Sequence, residues 1–330
     1  MKHDVVLFEG DGIGPEITKA VTSIIKAAGV DIEYHPYLIG QRAFDQTGVL
    51  IPQESLDAVK KYKVALKGPV TTPIGKGFKS VNVQLRLAFD LYTNLRPARS
   101  YKGLSRFENV DLVTVRENTE DLYIGEEHPI DGGFEAIKRI TYKGSERIIR
   151  YAFEYAKKNN RKRITCIHKA NIIKNADGLF LKLFNEIAQE YPTIEADNKI
   201  VDNICMQLVM YPEKYDMLVA PNLYGDIISD LIAGLTGGLG LVPGANIGED
   251  VAIFEAVHGS APDIAGKGIA NPIAMLQSAC LMLDYLEERE AATKIRNAIE
   301  YVLVNKVDLT PDLGGTGTTE SITNALIKAL

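Results

Sequence analysis

Two aspartates stand four residues apart in an apolar, glycine-rich stretch of the chain. Asp226 and Asp230 lie in the sequence NLYGDIISDLIAGLTGGLG. In a helix, residues four apart share one face, so the two carboxylates would point in the same direction. Charges in apolar surroundings are costly unless they are paired or bind a cation, and oxygen-only ligands suit Mg²⁺ or Mn²⁺. The spacing therefore favours a divalent metal site, with a helix cap at Asp226 and a solvated Asp230 as the alternative.

Three further side chains are candidates for metal binding or proton transfer. Asp202 lies among apolar residues in the segment 200–204, where it is either a third metal ligand or a buried carboxylate bonded to a turn. Lys169, in the sequence HKAN, follows an apolar segment, where burial would depress its pKa and make it a general base. Tyr123, in RENTEDLY, is a candidate acid. A solvated lysine and a packing tyrosine are the corresponding non-catalytic interpretations.

Positive and polar side chains recur between residues 80 and 116. The candidates among them are Ser80, Asn82, Arg86, Arg96, Arg99 and Arg116. Guanidinium groups bind carboxylates through two parallel hydrogen bonds, so converging arginines suit a substrate with several carboxylates. Because Arg96 precedes Pro97, we expect it to end a secondary-structure element. The alternative for each arginine is an unrelated position on the surface.

Two loops rich in glycine and proline would let the backbone approach a ligand closely. The loop GDGIGPE at residues 10–16 matches the first two glycines of the GxGxxG fingerprint, but Pro15 replaces the third, which argues against a Rossmann domain. The loop HGSAPDIAG at residues 258–266 carries one acid, Asp263. An acid beside a ribose accepts its 2′-hydroxyl and repels a 2′-phosphate. An ordinary surface loop is the alternative.

Strand-like and helix-like segments alternate around these residues. We predict strands at 5–8, 64–66, 110–115, 164–167 and 217–220. We predict helices at 15–28, from Ser145 onward, and at 178–189, 273–286 and 292–303. This alternation indicates an α/β fold with much parallel sheet.

The composition is that of a globular protein of about two domains. The 330 residues include 37 basic and 43 acidic side chains, and the net charge of −6 argues against nucleic acid as a partner. Three widely spaced cysteines exclude a disulfide or zinc framework, and we expect them to be small buried side chains. No apolar run approaches the length of a membrane span. We therefore expect a cytoplasmic enzyme.

In their joint order these motifs resemble the metal-dependent β-decarboxylating dehydrogenases of isocitrate, 3-isopropylmalate and homoisocitrate. The resemblance covers essentially the whole chain and rests on GDGIGPE, RENTEDLY, HKAN, the run 222–248 and HGSAPDIAGKGIANP. It implies the family's two-domain, non-Rossmann α/β fold in an intertwined homodimer. The large cofactor-side domain would comprise 1–92 and 238–330. The small domain would comprise 93–237, with the dimer interface and a short clasp arm near 121–141.

The resemblance also implies roles for individual residues. Asp226 and Asp230, with Asp202 of the partner subunit, would bind Mg²⁺ or Mn²⁺. Tyr123 and the partner subunit's Lys169 would be the acid and the base. The substrate contacts would be Ser80, Asn82, Arg86, Arg96, Arg116, Tyr123, Lys169 and Asn171. The cofactor contacts would be Ile13, Thr71, Glu255, His258, Gly259, Asp263, Ile264 and Asn271.

The family's chemistry then gives each group a task. The cation would stabilise the alkoxide that develops at C2. Lys169 would take the hydroxyl proton, either directly or through Asp202. The C2 hydride would pass to the nicotinamide, the 3-carboxylate would leave as CO₂, and Tyr123 would protonate C3. A regulatory subunit without activity is the non-enzyme alternative, and the presence of Tyr123, Lys169 and the three aspartates argues against it.

The residues also indicate a substrate and a cofactor within the family. Ser80 and Asn82 stand where isopropylmalate enzymes are apolar, and such a polar pair suits the γ-carboxylate of isocitrate. Homoisocitrate and 3-isopropylmalate remain the alternatives, because HGSAPDIAGKGIANP also resembles those branches. Asp263 and Ile264 replace a Lys–Tyr pair typical of NADP-dependent relatives, which favours NAD.

Overall fold

Twelve strands and eleven helices alternate along the computed structural model, which describes residues 2–72 and 79–330. The strands of this described part are β1 His3–Phe8, β2 Ile32–Tyr37, β3 Val64–Lys67, β4 Thr93–Arg99, β5 Asp111–Glu117, β6 Glu127–Ile130, β7 Gly133–Ala136, β8 Arg163–His168, β9 Glu195–Ile200, β10 Met217–Ala220, β11 Pro243–Ile247 and β12 Ala252–Ala256. The helices are α1 Gly14–Ala27, α2 Gln41–Thr47, α3 Gln53–Tyr62, α4 Val81–Ala88, α5 Tyr142–Lys158, α6 Ala176–Ala188, α7 Val201–Met210, α8 Asn222–Thr236, α9 Ile273–Tyr285, α10 Arg289–Val304 and α11 Thr319–Lys328.

Ten of the strands form one sheet, in the order β2-β1-β3-β12-β11-β4-β5-β10-β8-β9. The first four strands of this order are mutually parallel, and so are the last four. Between these groups, the pairs β12–β11, β11–β4 and β4–β5 are antiparallel. Three successive reversals make the two parallel groups run in opposite directions. The predicted α/β class is confirmed, whereas the antiparallel centre was not predicted.

Helices cover the sheet because their apolar faces are buried against it. In α1, Ile17, Val21 and Ile24 are fully buried, and Pro15 and Glu16 stand in the first turn as the sequence predicted. Helix α5 begins at Tyr142 rather than at Ser145, because Thr141 caps it by accepting a hydrogen bond from the backbone N–H of Gly144 at 3.0 Å.

Strand β4 continues through Pro97, so the expectation that Arg96 ends an element is wrong. β4 extends to Arg99, and Pro97 lies opposite Val113 of β5. On its other side, β4 pairs with β11 only as far as Leu95. Pro97 therefore lies where the strand has one neighbour, and a sheet tolerates a missing N–H at such an edge.

The prediction that the cysteines are small buried side chains is confirmed for two of the three. Cys166 and Cys280 are fully buried and Cys205 is partly exposed, and all three are free thiols. No helix within residues 2–72 and 79–330 combines the length and the apolar character that a transmembrane span requires.

Candidate active site

Helix α8 presents the paired aspartates on one face. It begins at Asn222 after Pro221, so Asp226 lies inside the helix and the alternative of a cap at Asp226 is wrong. Both carboxylates contact the same guanidinium nitrogen, Nη1 of Arg96, at 3.1 Å from Asp226 and 3.3 Å from Asp230. The side chains are 33% and 53% exposed, so a ligand from solvent can reach them.

Three arginines converge on these aspartates from three elements. Arg86 comes from the last turn of α4, Arg96 from β4 and Arg116 from β5, and none of them is more than 8% exposed. Arg96 donates from Nη1 to Ser229 Oγ at 2.6 Å, and Arg116 donates from Nε to the carbonyl oxygen of Asn222 at 3.0 Å. These bonds attach both strands to α8.

Two of these arginines, Arg86 and Arg116, keep guanidinium donors without a partner among the described residues. Burial lowers the pKa of Arg116 to about 9, and the neighbouring guanidinium groups of Arg96 and Arg86 act in the same direction. Burial also lowers the pKa of Arg86. Nη2 of Arg116 and Nε of Arg86 are buried and have no hydrogen bond partner in the part of the chain that the structure describes. Such donors call for an anionic ligand with several acceptor oxygens.

A cavity of about 250 Å³ opens at the point where these groups meet. The predicted site residues that line it are Ser80, Asn82, Arg86, Arg96, Arg116, Tyr123, Asp226 and Glu255. Gly244 of β11 also lines it, and a Cβ there would stand 3.0 Å from the carbonyl oxygen of Glu255. A side chain at Gly244 would therefore crowd the backbone of β12 at the wall of the cavity.

Arg99 does not join the other arginines. It lies three residues beyond Arg96 in β4, and alternate residues of a strand face opposite sides of the sheet. Its guanidinium instead pairs with Glu300 at 3.2 Å on the surface. For this residue the surface alternative is the correct interpretation.

Tyr123 reaches the aspartate pair from the short helix Leu122–Ile124. Its hydroxyl donates to Oδ2 of Asp226, and its ring lies 4.8 Å from the guanidinium carbon of Arg116. Burial raises the pKa of Tyr123, so the phenol stays protonated at neutral pH. For Asp226, burial favours the neutral form, but Arg116 and Arg96 outweigh it and lower the pKa.

Lys169 and Asp202 lie outside this cavity and pair with each other. Their side chains form an ion pair, which lowers the pKa of Asp202, and the Asp202 side chain is 69% exposed. Among the described residues of one chain, Asp202 does not join the other two aspartates in a cluster close enough to share an ion. Asn171 is exposed as well. Their roles stay predictions.

The cofactor residues lie on loops that are bonded together. Ile13 donates its backbone N–H to the carbonyl oxygen of Ser260 at 2.9 Å, and Thr71 Oγ1 lies 2.6 Å from Ser260 Oγ. A Cβ at Gly12 would lie 2.0 Å from the Ser260 carbonyl oxygen, so only glycine permits this contact. Asp11, in the loop 10–16, holds the loop at Thr71 in place, because its carboxylate accepts the backbone N–H of Thr71 at 2.7 Å.

The remaining cofactor candidates follow β12 in two groups. His258, Gly259, Asp263 and Ile264 occupy the loop after the strand; burial lowers the pKa of His258, and Asp263 is exposed. Farther on, Asn271 donates from Nδ2 to Asp312 at 2.9 Å. The loop after β12 thus exposes the carboxylate of Asp263, which suits a dinucleotide with an unmodified ribose.

Glu255 forms a buried ion pair that the sequence did not predict. Its carboxylate contacts Nζ of Lys67, and Nη2 of Arg86 lies 4.0 Å away. Burial opposes ionisation of Glu255, but Lys67 and Arg86 lower its pKa overall. A lysine at the end of the apolar strand VALK, directly before Gly68 and Pro69, was the available signal.

A larger cavity lies elsewhere. It measures about 740 Å³ and lies beside the segment 306–321, which ends in the first turn of α11, against Gly103 and Leu104. None of the predicted site residues lines it, so size alone does not identify the site in this protein.

The donor set of α8 fits a hard divalent cation. Asp226 and Asp230 offer only carboxylate oxygens, and both are accessible to solvent. Mg²⁺ is commonly held by one or two carboxylates, with the remaining positions filled by water and substrate. The two aspartates could therefore hold such an ion together with an anionic substrate.

Comparison with known proteins identifies the relatives of this chain. The family model described as isocitrate/isopropylmalate dehydrogenase matches residues 4–329. The crystal structure of isocitrate dehydrogenase from Methylococcus capsulatus is similar with a TM-score of 0.95 and 50% identity, over 99% of each chain.

Three named relatives differ in their activities. NAD isocitrate dehydrogenase catalytic subunit 5, mitochondrial, from Arabidopsis thaliana is 51% identical over 98% of this chain and 87% of its own length. A chloroplastic 3-isopropylmalate dehydrogenase from Solanum tuberosum is 52% identical over 89% of this chain and 83% of its own length. A mitochondrial regulatory subunit of NAD isocitrate dehydrogenase from Dictyostelium discoideum is 48% identical over 99% of this chain and 91% of its own length.

These names contradict the predicted cytoplasmic location. The Arabidopsis and Dictyostelium relatives are both named as mitochondrial proteins. The prediction rested on composition, widely spaced cysteines and the lack of long apolar runs, and such features are compatible with any reducing compartment. The cytoplasm and the interior of an organelle share those conditions, so these features could not distinguish them.

Proposed function

Because this chain belongs to the isocitrate/isopropylmalate dehydrogenase family, we propose that it oxidatively decarboxylates isocitrate to 2-oxoglutarate and CO₂ with NAD and a divalent cation. The observation that carries this proposal is the cavity in which buried donors of Arg86 and Arg116 have no partner among the described residues. A tricarboxylate supplies the acceptors that these donors need.

The polar wall of the cavity supports isocitrate over 3-isopropylmalate. Ser80 precedes α4, and its hydroxyl does not cap the helix, so it is available to a ligand. The side-chain oxygen of Asn82 is buried and makes no hydrogen bond within the described residues. An isopropyl group would leave this amide unsatisfied, at a cost of about 1–3 kcal/mol, whereas a carboxylate can bond to the amide after it rotates.

Each residue then has a task in the reaction. Arg86, Arg96 and Arg116 bind the carboxylates and orient C2 and C3. The partner subunit's Lys169 takes the C2 hydroxyl proton, and the phenol of Tyr123 delivers a proton to C3 after CO₂ has left. Asp226 and Asp230, with Asp202 of the partner subunit, would hold Mg²⁺ or Mn²⁺, which supplies charge stabilisation at the C2 oxygen. NAD, beside Asp263, would accept the C2 hydride.

Kinetics on the three acids test the substrate. We expect kcat/KM to be highest for isocitrate with NAD and Mn²⁺, and a clear preference for 3-isopropylmalate or homoisocitrate would overturn the assignment. The Solanum relative makes this comparison necessary. Activity of the purified single chain also separates a catalytic from a regulatory subunit, the distinction raised by the Dictyostelium relative.

Variants of the acid and the base test the mechanism. We expect Tyr123→Phe and Lys169→Met each to lower kcat by about 10² to 10⁴, the range of general acid–base catalysis. Tyr142→Phe and Lys157→Met, at exposed positions, are the matched controls and should leave kcat unchanged. Near-normal turnover of either site variant would refute its role.

We also propose the two-domain homodimer, divided at 92/93 and 237/238. The pairing of β11 with β4 lies at this division, and the hairpin β6–β7 within the arm 121–141 exposes Phe134 at 76%. Lys169 and Asp202 lie outside their own chain's cavity, which supports a site shared between copies.

Mixing inactive variants tests the shared site. In a hybrid of Tyr123→Phe and Lys169→Met subunits, one of the two sites combines both intact residues. After random exchange we therefore expect about a quarter of wild-type activity. Failure to recover activity from a mixture that forms hybrids would show that each chain supplies both residues to one site.

A further inference from the structure

Three buried asparagines form a hydrogen-bonded chain beneath the arginine cavity. Asn94 of β4 and Asn246 of β11 are directly opposite in the sheet register, and each is 2% exposed. Asn94 Nδ2 donates to Asn246 Oδ1 at 2.8 Å, and Asn118 Nδ2 donates to the same oxygen at 3.0 Å. None of the three was a predicted site residue.

Charged groups at both ends fix the direction of this chain. Arg96 can only donate, and its Nε donates to Asn94 Oδ1 at 2.6 Å. Asn94 must therefore turn its oxygen to Arg96 and its NH₂ to Asn246. At the other end the carboxylate of Glu255 accepts from Asn246 Nδ2 at 2.7 Å. The amides of Asn94 and Asn246 thus each have one orientation. That of Asn118 is fixed separately, because its Nδ2 also donates to the carbonyl oxygen of Leu91 at 2.9 Å, and its Oδ1 is buried without a partner among the described residues.

The chain joins the two groups of ligand-binding residues. Its positive end, Arg96, contacts Asp226 at 3.1 Å on the substrate side. Its negative end, Glu255, is paired with Lys67 and also lines the cavity, and the family resemblance makes Glu255 a cofactor contact. Buried hydrogen bonds in series polarise one another, so a change at one end alters the bond at the other.

We propose that Asn246 is a positioning residue that couples substrate binding at Arg96 to cofactor binding at Glu255. The identities of the two ligands rest on the proposed function. Asparagine suits this position because it accepts two N–H groups and donates to a carboxylate within one side chain. Leucine would leave the donors of Asn94 and Asn118 unsatisfied, and aspartate would set a carboxylate against Glu255.

The test measures the dissociation constant of NADH by fluorescence, with and without saturating isocitrate and Mn²⁺. This ternary mixture does not turn over, so binding is observed alone. For the wild type we expect isocitrate to change the NADH dissociation constant at least about fivefold, the lower end of ordinary coupling. For Asn246→Asp and for Asn94→Asp we expect the NADH dissociation constants with and without isocitrate to be nearly equal, so that their ratio is near one.

The pH dependence of Asn246→Asp separates positioning from a merely structural role. Two carboxylates about as close as the present 2.7 Å contact must share a proton. The charged groups that face Glu255, Lys67 and Arg86, are unchanged in this variant. We therefore expect NADH to bind about tenfold more weakly at pH 8 than at pH 6 in the variant, because one pKa unit is a factor of ten. The wild type should change less than twofold.

Asn305→Asp is the matched control, since Asn305 is exposed at the end of α10. The inference would be overturned if isocitrate did not change the NADH dissociation constant of the wild type. It would also be overturned if Asn246→Asp and Asn94→Asp both kept the change seen in the wild type. If Asn246→Asp does not fold, the ratio in Asn94→Asp decides. Coupling without turnover of isocitrate would refute only the proposed function, whereas turnover without coupling would refute only this inference.

Discussion

Glu120 gives the sharpest stability prediction, because its carboxylate is buried at the base of the arm 121–141. It is 7% exposed, and it accepts hydrogen bonds from the backbone N–H of Thr141 at 3.0 Å and from Thr141 Oγ1 at 2.7 Å. Burial raises its pKa from 4.5 to about 7, although these bonds act in the opposite direction. The nearby charges are Glu117, which raises the pKa, and Arg147, which lowers it.

The sign of the effect follows from linkage. The native state binds the Glu120 proton more tightly than the unfolded state, so this group destabilises the fold as the pH rises from 4.5 to 7. With about 1.4 kcal/mol for each pKa unit, the cost at pH 8 is about 3 kcal/mol. Glu120→Gln removes that cost and loses one hydrogen bond of about 1 kcal/mol. The variant should therefore be more stable by about 2 kcal/mol at pH 8.

Urea unfolding followed by circular dichroism at pH 5 and pH 8 measures this difference. At pH 5 the free energies of unfolding of the wild type and Glu120→Gln should agree within about 1 kcal/mol. Glu127→Gln, at an exposed position in β6, is the control and should show no pH-dependent difference. A difference that is the same at both pH values, or that favours the wild type more at pH 8, would refute the reasoning.

Three further changes have expected outcomes of known direction. Asp263→Lys should raise the KM for NAD and lower that for NADP, about tenfold each in steady-state assays, and unchanged ratios would contradict the ribose contact. Lys67→Met should lower the free energy of unfolding by about 3–5 kcal/mol, because Glu255 would lose its buried partner. Adding Glu255→Gln should recover part of that loss, and no recovery would argue against the pair. Thr318→Ala should cost about 1 kcal/mol in urea unfolding, since it removes the capping box with Ser321 at the start of α11; a neutral change would show that the cap contributes nothing.

The elements that the sequence predicted are those with a clear apolar pattern within their own residues. Helices α1 and α9 and strand β10 carry apolar faces that bury in the core, so periodicity identified them. Strand β11, with the sequence PGANI, was not predicted. Proline, glycine and asparagine are typical of turns. In this strand Gly244 lines the cavity and Asn246 belongs to the amide chain, so only Ala245 and Ile247 are left to pack in the core.

At the site, residue types alone identified the charged candidates, but the strand register was needed to show which of them lie in the same cavity. Arg96 and Arg99 are equivalent in sequence, but only Arg96 lies on the cavity face of β4. Asn94 and Asn246 are separated by 152 residues and become neighbours only through the antiparallel pairing of β4 with β11. A single sequence contains no signal for that pairing, because parallel strands dominate the rest of the sheet.

The charges of the cavity also limit what can occupy it. Arg86, Arg96 and Arg116, with Lys67 behind them, exceed by one positive charge the carboxylates of Asp226 and Glu255 in the cavity and of Asp230, which contacts Arg96 beside it. A tricarboxylate with a divalent cation carries one negative charge and neutralises the cavity, whereas the tricarboxylate alone leaves two negative charges in excess. The dicarboxylate 3-isopropylmalate with the same cation is neutral and leaves the positive charge unbalanced. Since unpaired buried charge is costly, isocitrate and its cation should bind as a unit, and omission of the cation should weaken isocitrate binding more than NADH binding.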